Sequence, residues 1–425
     1  MLVAGLLRRG DEELGFDRTE GALVCDGVMV SQIAERFGTP LYLYSAQTIR
    51  DAFLAYDRAF APVDHRICYA LKANSSGAIL RLLSGLGAWA DIVSGGELRA
   101  ALRAGFAADR IVFSGVGKTD DELALGLEHG IADFNAESEA EIERLSALAS
   151  KLGKTATLSL RVNPNIDPRS HPYISTGLAQ NKFGIDIAKA PEILRWARGL
   201  PGLEIAGVQC HIGSQISDLS SLGLAARELA TLSRRLIDEG FTLRTIDLGG
   251  GLGVDYEGGA AIDPSALAAV LLPQIQGLPL RLLLEPGRSL VARSGVLVTR
   301  VLDVKENRGK RFLIVDAAMN DLLRPALYQA FHRIEPVIAS GRRRVKADVV
   351  GPVCETGDFL ARDREIEEVE PADLLVVLDA GAYAFSMASN YNMRPRAAEA
   401  MVENGEARLI RRRETFLDLV ATDVY

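Results

Sequence analysis

The chain is poor in the residues that staple small proteins or bind metals: of 425 residues, four are cysteine and five histidine. Cys25, Cys68, Cys210 and Cys354 are far apart and form no C-x-x-C pair. A chain of this length needs no disulfide framework, so reduced thiols are expected. His65, His129, His171, His211 and His332 show neither an H-E-x-x-H motif nor an i, i+4 pair, so no metal site is expected. No apolar run approaches the ~20 residues that span a bilayer, and the opening MLVAGLLRRGDEELG meets charge after a short apolar stretch. Neither a membrane span nor a targeting segment is expected, which points to a soluble, cytoplasmic protein. Basic residues number 48 against 56 acidic ones, a net charge of −8, and no basic block is long enough to track a phosphate backbone. Nucleic acid is therefore not an expected partner. Internal repeats, low-complexity segments and long linkers are missing as well, which argues for a compact pair of domains.

What the chain does contain is apolar material, 48% of its residues, enough for a large core. Eight short apolar or β-branched runs lie between Arg66 and Gly287: ICYALK, WADIVS, IVFSG, ADFNAES, TLSLRVN, IAGVQCHIG, TIDLGGG and RLLLEPG. Helix-like stretches fill most of the intervals, among them GELRAALRAGF from Gly96, ESEAEIERLSALASKLG from Glu137 and LGLAARELATLSRRLIDEG from Leu222. Strand alternating with helix predicts parallel strands joined by crossovers, and eight of them predict a closed (β/α)8 TIM-type barrel, with an open doubly wound sheet as the alternative. After Ser289 the runs GVLVTRVLDVKE, KRFLIVDA, KADVVGPVCE and DLLVVLDAG follow with only a turn or two of helix near Leu322 to Phe331, predicting a separate all-β domain. The expected division is 1–45, strands completing the β domain; 46–288, the barrel; and 289–425, the β domain.

A barrel of this kind carries its chemistry at the C-terminal ends of its strands. Lys72 ends the first run, Asp91 and Ser94 the second, Asn163 the fifth, His211 and Ser214 the sixth, Gly249 to Gly251 the seventh, and Glu285 to Arg288 the eighth. Lys72, in RICYALKAN, has two readings: a long stem reaching water, or a reactive amine. DLGGGLG places Val254 where the last glycine of a dinucleotide fingerprint would fall. The run is either a tight turn or, with EPGR after the eighth strand, a phosphate site built from backbone N–H groups. Glu285 is either half of a strand-end ion pair or a carboxylate for a ring nitrogen. Lysine, phosphate cradle and carboxylate together suit pyridoxal 5′-phosphate.

Beyond these positions, YALKAN, ADIVSGGEL, FSGVGKTDDEL, FNAESEAE, RVNPN, NKFGI, HIGSQI, DLGGGLG, EPGRSLV, NDLLRPALYQA, GPVCETGDFL and AGAYAFSMASNYNMRPR cover nearly the whole chain. In these stretches it resembles the pyridoxal-phosphate-dependent, alanine-racemase-type barrel decarboxylases, above all their diaminopimelate-acting members. Ala384 beside Tyr383 stands where glycine is more usual. The resemblance implies Lys72 as the Schiff-base lysine, His211 stacked on the cofactor ring, and Glu285 ionised at the pyridine nitrogen. It implies Ser214, Gly250, Gly251, Gly287, Arg288 and Tyr383 around the cofactor phosphate. On the substrate it puts Arg288, Arg324 and Tyr328 with the distal carboxylate, Glu355 with the distal ammonium, and Tyr383 among the other substrate contacts. Cys354 is the implied proton donor, and a homodimer whose subunits share their active sites is the implied assembly. Asp91 receives no role from it.

The activity so implied is decarboxylation of meso-2,6-diaminopimelate to L-lysine and CO2, the last step of lysine biosynthesis. An ornithine or arginine decarboxylase is the nearest alternative, but a cationic substrate end calls for acids where Arg288 and Arg324 stand. The resemblance pairs racemase chemistry with arginine at the pyridine nitrogen, where this chain has Glu285. A silent cofactor-binding homologue is the remaining alternative; it would have lost some of Lys72, His211, Glu285, Cys354 and Glu355, all of which are present.

Overall fold

The structure, a computed structural model, describes residues 15–167, 182–259 and 261–424. The opening stretch, His171 and the asparagine of NKFGI lie outside the described residues. The chain forms two units, one of Ala52–Val254 with Ile262–Ser289, the other of Met1–Asp51, Asp255–Ala261 and Leu290–Tyr425.

In the first unit the eight apolar runs become strands β1 (His65–Ala70), β2 (Trp89–Ile92), β3 (Ile111–Phe113), β4 (Asp133–Ala136), β5 (Ala156–Asn163), β6 (Leu203–Gln209), β7 (Thr245–Asp247) and β8 (Arg281–Leu284). Each pairs in parallel with the next. The sheet closes where Leu282 to Leu284 of β8 meet His65 to Ile67 of β1. Closure confirms the TIM-type barrel and excludes the open sheet.

Helices follow strands β1 to β7, and three of them start on a signal written in the sequence as S/T-x-x-E. The hydroxyls of Ser94, Thr119 and Ser138 accept from the backbone N–H of Glu97, Glu122 and Glu141, and Glu122 answers by accepting from the Thr119 N–H. Each cap satisfies a donor that the helix leaves unpaired, and its loss costs about 1 kcal/mol. Two expected starts move: the helix read from Glu137 runs Glu139–Leu152, after its Ser138 cap, and that read from Leu222 runs Leu219–Asp238, after the Asp218 cap.

The second unit is built around Leu41–Ser45, whose five residues are all buried. This strand lies antiparallel to Gly295–Asn307 and parallel to Ala398–Glu403. Lys310–Val315, Arg344–Val350 and Phe359–Glu367 extend the sheet on one side and Glu406–Arg411 on the other. Leu41, Leu43, Val296, Val298, Val376, Ala400 and Val402 form its core. Phe359–Glu367, Ala398–Glu403 and Glu406–Arg411 are strands absent from the four runs read after Ser289; FLARDREIE and EARLIR carry charge on their exposed faces, which masks them as apolar runs. Among the described residues, no helix is long and apolar enough to cross a membrane.

Candidate active site

Strand β1 stops at Ala70, and Leu71–Ala73 turn into a short 3-10 helix, so Lys72 lies two residues beyond the strand and not at its end. The Ala70 N–H donates to the Pro286 carbonyl, 3.1 Å away, which ties the turn to the end of β8. Lys72 Nζ donates to Asp91 Oδ2 at 2.8 Å, with Asp91 fully buried on β2 and Lys72 about one-third exposed, at 36%. A mobile four-carbon stem is thereby aimed by a fixed carboxylate. Asp91, to which the resemblance gave no role, is the observed partner of Lys72.

Glu285 follows β8 directly and is buried. Its Oε1 accepts from Ser114 Oγ at 3.2 Å and from Asn135 Nδ2 at 3.4 Å, and Oε2 accepts from Gln209 Nε2 at 3.0 Å. Asn135 Nδ2 also donates to Ser114 Oγ at 2.9 Å, so β3, β4 and β6 jointly orient one carboxyl group. Burial and the neighbouring acids Asp247 and Asp91 push Glu285 well above the usual carboxylate range, against a downward pull from Lys72. Asp247, on β7, is pushed up to about 7 by burial. With the protein's own groups alone Glu285 thus favours the neutral acid; the ionised form implied above calls for a cation at the carboxyl.

His211 Nδ1 accepts from the Gly250 N–H at 3.2 Å, which leaves the ring proton on Nε2. Burial, with Arg161 and Lys72 nearby, holds the imidazole well below its ordinary range, so it is neutral and flat enough in charge to face an aromatic ring. The Gly250 amide, expected at a phosphate, is here the donor to His211. A Cβ at Gly250 would fall 2.2 Å from the Glu285 carbonyl oxygen, so the strand ends approach as closely as only glycine permits. Arg288 donates through Nη2 to Ser214 Oγ at 3.1 Å, joining the ends of β8 and β6. Gly251 follows in the same turn, and Gly287 packs on Ala70 and Ala73 beside Lys72.

Lys72, His211, Ser214, Gly250, Gly251, Glu285, Gly287 and Arg288 thus share the C-terminal mouth of the barrel. Arg324, Tyr328, Cys354, Glu355 and Tyr383 belong to the other unit. There Cys354 is exposed while Cys25, Cys68 and Cys210 are buried, and burial pushes those three thiols up, Cys210 to about 12. Glu355 is exposed beside it, and the Cys354 N–H donates to Asn392 Oδ1 at 2.9 Å. Arg324 is buried, Tyr328 half-buried, and Tyr383 half-buried with φ +54°. Sequence reasoning missed Ser114, Asn135, Gln209 and Asp247; the available signal was a polar residue near the C-terminal end of an otherwise apolar run, as in IVFSG and GVQCHIG.

An amine aimed by a buried acid, a carboxyl held by three neutral donors and a glycine turn open to close approach are the parts a pyridoxal phosphate site requires. The class this fold and site define is a barrel decarboxylase dependent on that cofactor. The family described as pyridoxal-dependent decarboxylase, pyridoxal binding domain, matches residues 46–292. The chain is 49% identical to the diaminopimelate decarboxylase of Aquifex aeolicus, over 93% of this chain and 94% of the relative. It is 50% identical to that of Neisseria meningitidis serogroup A, over 95% and 99%. The crystal structure of diaminopimelate decarboxylase from Helicobacter pylori complexed with L-lysine matches 92% of this chain and 98% of that one, with TM-score 0.89 and 46% identity. The chain belongs to the diaminopimelate decarboxylase family of pyridoxal-phosphate-dependent enzymes.

Proposed function

We propose that the protein converts meso-2,6-diaminopimelate to L-lysine and CO2. The observation that carries this reading is near-half identity, over almost the entire length, to enzymes so named. The bound cofactor supplies an electron sink for the bond that releases CO2. Lys72 holds it through its amine, and Asp91 keeps that amine in place. His211 offers a neutral ring to its face. Glu285 would meet its ring nitrogen, where a positive charge would draw the carboxyl into its ionised form. Ser214, Gly250, Gly251, Gly287, Arg288 and Tyr383 line the phosphate. Cys354 returns a proton to the substrate carbon after CO2 has left, and Glu355 takes the distal ammonium. The direct test is to incubate the purified protein with pyridoxal phosphate and meso-diaminopimelate: lysine and CO2 form in equal amounts, whereas a silent homologue releases neither.

Arg324, with Arg288 and Tyr328, reads the distal carboxylate, which ornithine and arginine lack. Arg324→Met is expected to weaken diaminopimelate binding by roughly 2 to 5 kcal/mol, because a desolvated carboxylate loses its charged partner. Analogues without that carboxylate should lose far less, a difference read by comparing inhibition constants for L-lysine and 1,5-diaminopentane. Equal losses would assign Arg324 to the fold instead.

The reading also makes the enzyme a cytoplasmic homodimer, in keeping with four free cysteines and with an exposed Cys354 whose N–H donates to Asn392, the residue between Tyr391 and Met393, themselves 45% and 57% exposed. A proton donor needs a dry, shaped site, and a second subunit provides the cover. Mixing Lys72→Ala with Cys354→Ala subunits under exchange conditions should restore about one quarter of wild-type activity, since half the dimers are hybrids and half of their sites are intact. Activity that stays at the level of the separate mutants after verified exchange would place lysine and cysteine in one chain.

A further inference from the structure

Arg324 is held from two directions inside the β unit. Its Nη1 stands 2.8 Å from His332 Nε2, and its guanidinium lies over the Tyr256 ring, 4.4 Å from the centroid. His332 Nδ1 stands 2.8 Å from the Leu378 carbonyl oxygen. Arginine only donates and a carbonyl only accepts, so the two partners settle the tautomer: Nδ1–H donates to Leu378, and the Nε2 lone pair accepts from Arg324. The residue is fully buried, its backbone carbonyl accepts from Arg364 Nη1 at 2.7 Å, and its ring meets Tyr256 edge-on at 5.1 Å. A buried imidazole whose lone pair faces a guanidinium is an unusual choice for mere packing, because an apolar side chain would fill the volume without fixing a charge. The ring spends its one acceptor on aiming the arginine, and Tyr256 restrains the guanidinium plane from its face.

We propose that His332, with Tyr256, is a positioning residue for substrate selection: it holds the Arg324 fork in the one orientation that grips the distal carboxylate. The inference rests on the reading of Arg324 given above. It adds that the selectivity resides in a three-residue device, since an arginine left to its own rotamers loses much of the advantage of a preorganised fork.

The test measures KM and kcat for diaminopimelate, and inhibition by L-lysine and by 1,5-diaminopentane, in His332→Leu, His332→Gln and Arg324→Met holoenzymes. His332→Leu should raise KM, and the inhibition constant for lysine, roughly 10- to 100-fold, the range for a hydrogen bond to a charged group. Its kcat should stay within about threefold of wild type, and inhibition by the diamine should not change. His332→Gln, whose amide oxygen can take the place of Nε2, should recover most of the loss. Tyr256→Leu removes the ring and keeps the hydrogen bond; it should give the same signature at smaller size and replaces His332→Leu if that variant does not fold. A fall in kcat with equal losses for lysine and the diamine, or no rescue by glutamine, overturns the positioning role. If Arg324→Met itself leaves the preference for lysine over the diamine unchanged, the distal-carboxylate reading falls and the inference with it. If Arg324→Met abolishes that preference while His332→Leu and Tyr256→Leu keep it, only the inference falls.

Discussion

Lys72→Ala should lower turnover by about four orders of magnitude or more, because the residue that joins protein to cofactor cannot be replaced by any neighbouring amine. Borohydride reduction of the wild-type holoenzyme should place the label on the peptide containing Lys72; a label on any other lysine refutes the assignment. The substitution has a second consequence that must be separated from the first. Asp91 is fully buried and its Oδ2 accepts from Nζ at 2.8 Å, so alanine leaves a carboxylate in the barrel without its cation. Breaking a fully buried pair on one side costs about 3 to 5 kcal/mol, and the cost here is smaller because Lys72 is about one-third exposed and water screens the pair. Lys72→Met combined with Asp91→Asn removes both charges and should recover most of that stability in a denaturant melt, with turnover still at the Lys72→Ala level. Recovery of turnover in the double variant would mean that Lys72 serves the fold and not the chemistry.

Glu285→Gln should cut kcat on the order of a hundredfold or more while leaving cofactor retention largely intact. Glutamine keeps the volume and one acceptor for Ser114, Asn135 or Gln209, but it carries no charge to set against a positive ring nitrogen. An unchanged kcat would remove Glu285 from the mechanism. The stability of the protein prepared without cofactor should move the other way at alkaline pH. Asp247 is pushed up to about 7, with burial the largest cause, and it forms a tightly coupled pair with Glu285, which is itself raised. A carboxyl raised in the folded state contributes stability below its unfolded pKa and loses it as pH rises through the folded value. Wild type therefore loses stability between about pH 4 and pH 7 on account of Asp247. Glutamine has no acid to keep protonated or to bury as a charge, so the cost of the raised Glu285 disappears, and the Glu285→Gln protein should melt at or above wild type at pH 8. A lower melting point there would show that Glu285 carries no such cost in the folded barrel.

Much of the barrel was legible because its signals are local. A strand needs only a short apolar run, a helix only a stripe and a cap, and both repeat along 66–287; Ser94, Thr119 and Ser138 even announce their helices three residues ahead of the glutamates whose N–H groups donate to them. Lys72 and Glu285 stood out because a charge next to an apolar run is conspicuous in the chain itself. By itself, then, the sequence determined the order of strands and helices, the β-rich second unit and the principal chemical residues. The partners of those residues were decided by tertiary structure. Ser114, Asn135 and Gln209 lie 171, 150 and 76 positions from Glu285, and no spacing rule links them. They meet because closing a parallel sheet gathers all its strand ends on one rim, where the interior is dry enough to make each unpaired polar atom expensive. The same holds for Leu41–Ser45, which long-range pairing makes a central strand of the second unit, and for His332, whose aim at Arg324 depends on the carbonyl of Leu378, 46 residues on. Local pattern chooses the elements; burial and hydrogen-bond satisfaction across the closed sheet choose which side chains face one another, and the ionisation of Asp247 and Glu285 exists only once they do.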